Sequence, residues 1–405
     1  MRKGAMPRHF LIFLLFTGAY FLSYFYRSAN AIIAPDLREE LQLTAADLGL
    51  MTSVFFAAFA TMQLPLGKTL DRFGVRWVSS TLLWVAVAGS LIFSMSDSLS
   101  GVLSGRVLIG IGMAGVLMGA IKVFSQWYEP RQFTTMTGLL VGIGSTGALF
   151  AATPLAWLNE TVGWRAVFSG GAVVLGLVVL LLMVVVRDAP DDTEKASPQP
   201  SEGWGHIFGD RTFWKIALLN FALGGNLLAF QGLWAGPYLF DVYQMSALHV
   251  GNFLLVMGVA TTAGYLASGW LGGHWGLRNI LILGATIFLF SQLLLMLKME
   301  AWTLGLAYAA FGFSGALGLM TLAEIKQVMP LSMTGTAVTS VNLFGIGGTF
   351  LIQWLSGLII GASSTSAGTY SPGAYQYALL MMAGVTLLAL IFYAWPSSKN
   401  KTGMK

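Results

Sequence analysis

The chain has 405 residues, 56% of them apolar and 10% charged, with a net charge of +5 and no Cys. A soluble domain carries about a quarter of its residues charged, so this chain cannot clothe a water-facing surface and reads as an all-α polytopic membrane protein. The missing Cys removes disulfides, thiol chemistry and Cys metal sites; with four scattered His, neither metal nor other cofactor is expected, and the cations lie in loops, as orientation signals rather than a nucleic-acid footprint.

A helical span needs about 20 mostly apolar residues. Twelve runs meet that need: 9–33, 47–67, 77–96, 101–127, 133–157, 165–187, 213–239, 247–271, 279–297, 302–325, 334–361 and 373–395. The first is too long for a signal-peptide core and lacks a small-residue cleavage site. Within it, Tyr20, Ser23, Tyr24, Arg27 and Asn30 recur at helical spacing and make one polar stripe. A charge at the bilayer centre costs at least ~3 kcal/mol, so Arg27 needs a partner, a wet cavity or a ligand. It is either an anion anchor, since a guanidinium fork grips carboxylate or phosphate at two points, or a cation tied to helix-end carbonyls.

Between the second and third runs lies Gly67-Lys-Thr-Leu-Asp71-Arg72-Phe-Gly74-Val-Arg76. Three cations in a tight polar turn cannot sit in hydrocarbon, so the turn caps the joint between two spans. Its form, G-x-x-x-D-R-x-G-x-R, resembles the loop between spans two and three of the major facilitator superfamily of transporters. The resemblance covers essentially the whole chain. It implies two six-helix halves working by alternating access, with Asp71 set against the start of span eleven and Arg72 and Arg76 holding the loop there in the outward-open state.

Span four adds Arg106-x-x-x-Gly110-x-Gly112-x-x-Gly115, similar to the superfamily's Arg-Gly motif, which braces the N-terminal half and sometimes touches substrate. Lys122 follows Arg106 by sixteen residues, a rotation of about 160°. Either the glycines bend the helix or only one of the two cations lines a cavity. Span five has glycines at 138, 142, 144 and 147 but lacks the Gly-Pro pair of many drug–proton antiporters. The first span resembles the anion–cation and organophosphate symporter branches, which often place an Arg there. The acids those branches use for protons are missing: the positions are Met113 and Tyr26 here.

Residues 188–212, rich in Pro, Asp, Glu and Ser, read as a cytoplasmic linker between halves 1–187 and 213–405. A repeat at a constant offset of 202 residues pairs Pro35 with Pro237, Gly49 with Gly251, Gly67 with Gly269, Gly74 with Gly276, Arg76 with Arg278 and Gly110 with Gly312. It is the architecture of parallel six-span repeats. Arg27 maps to Ala229, so the repeat does not require it. Lys122 maps to Glu324, which predicts a salt-bridged inner gate and makes Glu324 the default proton carrier, or simply marks the boundary of span ten. In the second half Asn220, Gln231, Trp234 and Tyr238, with Thr339, Asn342, Thr349 and Gln353, are ligand contacts or interhelical glue. Sixteen Lys and Arg lie in segments on the side of the N-terminus, against Arg38, Arg165 and Lys298 on the other. That bias puts both termini in the cytoplasm.

These readings converge on a monomeric secondary transporter of the bacterial inner membrane, in contact with lipid. It moves a small organic anion, carboxylate or phosphate ester, with a proton or sodium ion as possible coupling partner. Substrate contacts are expected from Arg27, Tyr20, Tyr24, Asn30, Arg106, Lys122, Gln231, Trp234 and Asn342, and gating from Asp71, Arg72, Arg76, Lys122 and Glu324. The alternatives are an exporter of amphipathic or drug-like compounds and a non-transporting membrane sensor. No Walker loop, nucleophile–base pair or metal spacing points to an enzyme.

Overall fold

The computed structural model describes residues 8–186, 204–330, 334–362 and 370–396. Among them, eleven helices are long and apolar enough to cross a membrane, and Met136–Phe150 is a shorter apolar one. Thr153–Val185 holds the end of span five and all of span six, divided at Gly163, whose φ of 79° interrupts the helix. With that division the twelve spans are complete. Leu177, Val184 and Leu388 point outward with 57%, 74% and 70% of their surface exposed. Such apolar faces suit hydrocarbon, not water, and the chain is a multi-pass membrane protein.

The 202-residue repeat is written into backbone conformation. Gln42 and Gln244 end their helices in the left-handed region at φ 52°. Gly74 and Gly276 join spans two to three and eight to nine at φ 79° and 80°, where a Cβ would be strained. Span four breaks between Leu99–Met113 and Gly115–Trp127, and span ten passes through a tight turn at Leu317–Leu319, the equivalent depth. Span one breaks at Ala29, between Arg8–Ser28 and Asn30–Leu41; span seven answers with a π-helical turn at Phe230–Trp234.

One boundary is corrected. The helix of span two runs through Ala45–Phe73, so Gly67 to Arg72 are helical and only Gly74 makes the turn. A helix can carry polar residues past the hydrocarbon, and nothing at Gly67 demands a special backbone angle. Thr44 starts this helix with a reciprocal cap: its Oγ1 accepts from the Asp47 amide while the Asp47 carboxylate accepts from the Thr44 amide.

Packing sorts the chain into two compact units. The first holds residues 1–196, 230–255 and 353–369; the second holds 197–229, 256–352 and 370–405. The chain passes between units inside spans seven, eight and eleven, so one end of each of those spans packs with the N-terminal helices. The expected linker, 188–212, lies largely outside the described residues; its described end includes the short helix Trp204–Gly209.

Candidate substrate site

In the first unit, the break at Ala29 puts Arg27 in the last turn of Arg8–Ser28. Its guanidinium carbon lies 4.6 Å from the Phe59 ring centre and 5.1 Å from that of Tyr24. The Arg27 Nε is buried and, among the described residues, has no hydrogen-bond partner. A guanidinium with aromatic walls offers its edge, the geometry that takes an oxyanion at two points. Tyr24 stands edge-on to Tyr20 at 5.1 Å, and Tyr20 is buried against Gly144 of span five. Asn30 is fully buried; its Nδ2 donates to Thr52 Oγ1 at 2.7 Å, and its Oδ1 has no partner.

Arg106 is placed differently. It is fully buried, donates from Nη1 to the Tyr26 carbonyl at 2.8 Å, and lies 5.0 Å from the Phe55 ring centre. Its Nε and Nη2 have no partner. The Tyr26 carbonyl sits just before the break in span one, so Arg106 braces the turn that carries Arg27. Lys122, half a turn round the helix axis, instead reaches Asp71 at 2.5 Å, at the loop end of the span. Asp71 is 78% exposed, and an ion pair so solvated contributes about 0–1 kcal/mol. Arg72 and Arg76 lie over Phe73 and Trp77. The start of span eleven, which the resemblance sets against Asp71, falls at residues 331–335, whose side chains lie outside those described.

Spans one and seven meet backbone to backbone beside Arg27. A Cβ on Gly232 would stand 3.1 Å from the Arg27 carbonyl oxygen, and one on Gly236, a turn further, would strike the Ala31 carbonyl. At Gly236 only glycine permits this approach, and at Gly232 a Cβ would be tight. Gln231 lies in the π-turn and is 9% exposed. Trp234 donates from Nε1 to the Gln353 carbonyl at 3.0 Å, with its ring edge between Gly49 of span two and Gly357 of span eleven. Thr153 of span five and Asn252 of span eight pair at 2.9 Å. Beyond them, Arg38 and Asp241 form a two-point ion pair with both contacts at 3.1 Å. Nearby, Asn159 donates to Asp36 at 2.5 Å.

Asn342 belongs to the second unit, half-buried on Thr334–Gly361. There too, both Glu324 oxygens accept from the Tyr393 hydroxyl, at 2.7 and 2.6 Å, and the Arg278 guanidinium lies 5.6 Å from the Tyr393 ring centre. Four participants escaped the sequence reading: Phe59, Thr52, Arg38 and Asp241. The last two carried a signal. Asp241 is the repeat mate of Glu39, so opposite charges stand one residue out of register on the equivalent ends of spans one and seven.

A family model described as "Major Facilitator Superfamily" matches residues 16–351. "Probable sulfoacetate transporter SauU" of Cupriavidus necator is 26% identical over 66% of this chain and 66% of its own. "Probable galactarate/D-glucarate transporter GudP" of Escherichia coli is 22% identical over 97% of this chain and 94% of its own. Among solved structures, a D-xylose-proton symporter superposes with a TM-score of 0.80 at 14% identity, covering 97% of this chain and 99% of that one.

Proposed function

Because this chain belongs to the Major Facilitator Superfamily, we propose that it is a secondary transporter of a small organic anion, with Arg27 as the anchor for the anionic group. The observation that carries this reading is the state of Arg27: a cation on a polar stripe, walled by Tyr24 and Phe59, with a buried Nε that nothing accepts from. Holding a half-buried cation within a span without an acceptor is costly, and a carboxylate supplies that acceptor. The named relatives support the class, since sulfoacetate, galactarate and D-glucarate are all carboxylates. The amphipathic-exporter reading gives Arg27 no task.

Alternating access requires that one path to Arg27 be shut while the other is open. The contacts at Gly232, Gly236, Gly49, Gly357, Thr153 and Arg38 are such a closure, and the charge bias of the loops puts them on the outside. An anion entering from that end must part spans one, two and five from seven, eleven and eight. Opening the opposite end is the other half of the cycle. The Lys122–Glu324 gate expected from the repeat is part of this proposal, and it requires Lys122 to leave Asp71 and Glu324 to leave Tyr393. The protein works in the bacterial inner membrane with both termini cytoplasmic.

A thermal-shift panel of organic anions on detergent-purified protein tests the class. Stabilisation by a carboxylate, and loss of it in Arg27→Ala, is expected. Equal stabilisation of both proteins would remove Arg27 from the site.

A further inference from the structure

Arg38 has the chemistry of a second anion-receiving residue. Its Nη1 and Nη2 donate to Oδ2 and Oδ1 of Asp241, each at 3.1 Å. That parallel fork is how a guanidinium receives any carboxylate, whether from its own chain or from a ligand. Arg38 follows Arg27 by eleven residues, about three helical turns, so the two lie on one face of span one roughly 16 Å apart. The break does not spoil this register, because Ala29 keeps helical angles, φ −58° and ψ −33°. Two of the carboxylates beside Arg38 are held by other groups. Asp36 accepts from Asn159, and Glu40 accepts from Trp164 and pairs with Arg165.

We propose that Arg38 receives the carboxylate of the entering anion when the outer end is open, and that Asp241 takes the same place on Arg38 when that end closes. The inference rests on the anion-transport reading above and adds an entry residue to it. Asp241 belongs to span seven and Arg38 to span one, so the pair parts when the outer end opens. The Asp241 side chain is only 4% exposed and that of Arg38 22%. A buried pair contributes little net stability, since desolvation offsets the Coulomb attraction. Exchanging one carboxylate for another on the same fork leaves that balance nearly unchanged. The pair is therefore suited to exchange rather than to permanent closure, and it stands a few turns from Arg27 along one helix face.

The chain has no Cys, so labels can be placed at will. Thr161→Cys and Leu248→Cys carry spin labels whose separation reports the outer end. Both Asp241→Asn and Arg38→Gln remove the pair and are expected to lengthen that separation. In substrate exchange across proteoliposomes they are expected to diverge. Asp241→Asn lowers the half-saturating concentration on the outer side about threefold or more, because the outward-open fraction grows while the Arg38 guanidinium remains in place. Arg38→Gln raises it, and Arg38→Lys, which keeps charge but not the fork, falls between; should Arg38→Gln fail to fold, Arg38→Lys carries the comparison. The probe is whichever of sulfoacetate, D-glucarate and D-glucuronate the wild-type protein exchanges fastest. Shifts of the same sign in the Asp241 and Arg38 variants overturn the proposal and leave the pair as a latch only. Exchange of none of the three by wild type overturns the anion reading itself, and this inference with it.

Discussion

Arg27 and Arg106 show how two cations in adjacent spans reach opposite ends of one problem. Arg106 meets its burial with a carbonyl and an aromatic ring, inside packed protein. Arg27 is half-buried, with two aromatic walls and, among the described residues, no acceptor for its Nε. Arg106 therefore acts on the anion through the turn at Tyr26, and Arg106→Met is expected to change equilibrium anion affinity less than about threefold, under 1 kcal/mol. A collapse of affinity would place Arg106 in the site.

At the scale of elements, the breaks in spans one and seven are the pieces that matter. They lie at equivalent repeat positions and bring two backbones together at Gly232 and Gly236. Gly236→Val is expected to hold these spans apart, because its side chain would meet the Ala31 carbonyl. Accessibility of engineered cysteines at that end should rise while anion binding persists; unchanged accessibility would mean that the spans do not close there. At the other end, the charge swap Lys122→Glu with Glu324→Lys should recover part of the transport lost in each single variant, and a double variant no better than the worse single would remove the gate. The existence of the spans was legible in apolar run length, and the repeat in paired Pro and Gly. The breaks were not. Ala29 carries no Pro or Gly signal, and a π-turn reflects packing on distant residues rather than local preference. Span two overran its expected end for a related reason: Asp71 and Arg72 read as turn by polarity, yet polar residues continue a helix once it leaves the membrane.

For the whole molecule, sequence and packing divide the chain by different rules. The repeat read from the sequence puts the expected halves on either side of the expected linker. The compact units record which surfaces touch in one state, and they assign residues 230–255 and 353–369 to the N-terminal body. Contacts between spans leave little trace in sequence periodicity, which is why the Arg38–Asp241 pair was visible only as opposite charges one residue out of register. The Arg27 stripe was legible, since helical spacing alone brings Tyr20, Tyr24, Arg27 and Asn30 together. Its wall, Phe59, comes from another span and was not.

The central claim is that one guanidinium, Arg27, holds the transported anion. Equilibrium binding of the carboxylate that best stabilises the purified protein tests it most directly, compared across wild type, Arg27→Lys and Arg27→Ala. Measurable binding is expected in wild type, weakening by about tenfold or more when the fork is replaced by a point charge, about 1.4 kcal/mol, and no detectable binding in Arg27→Ala. Wild-type affinity retained in Arg27→Ala would contradict it.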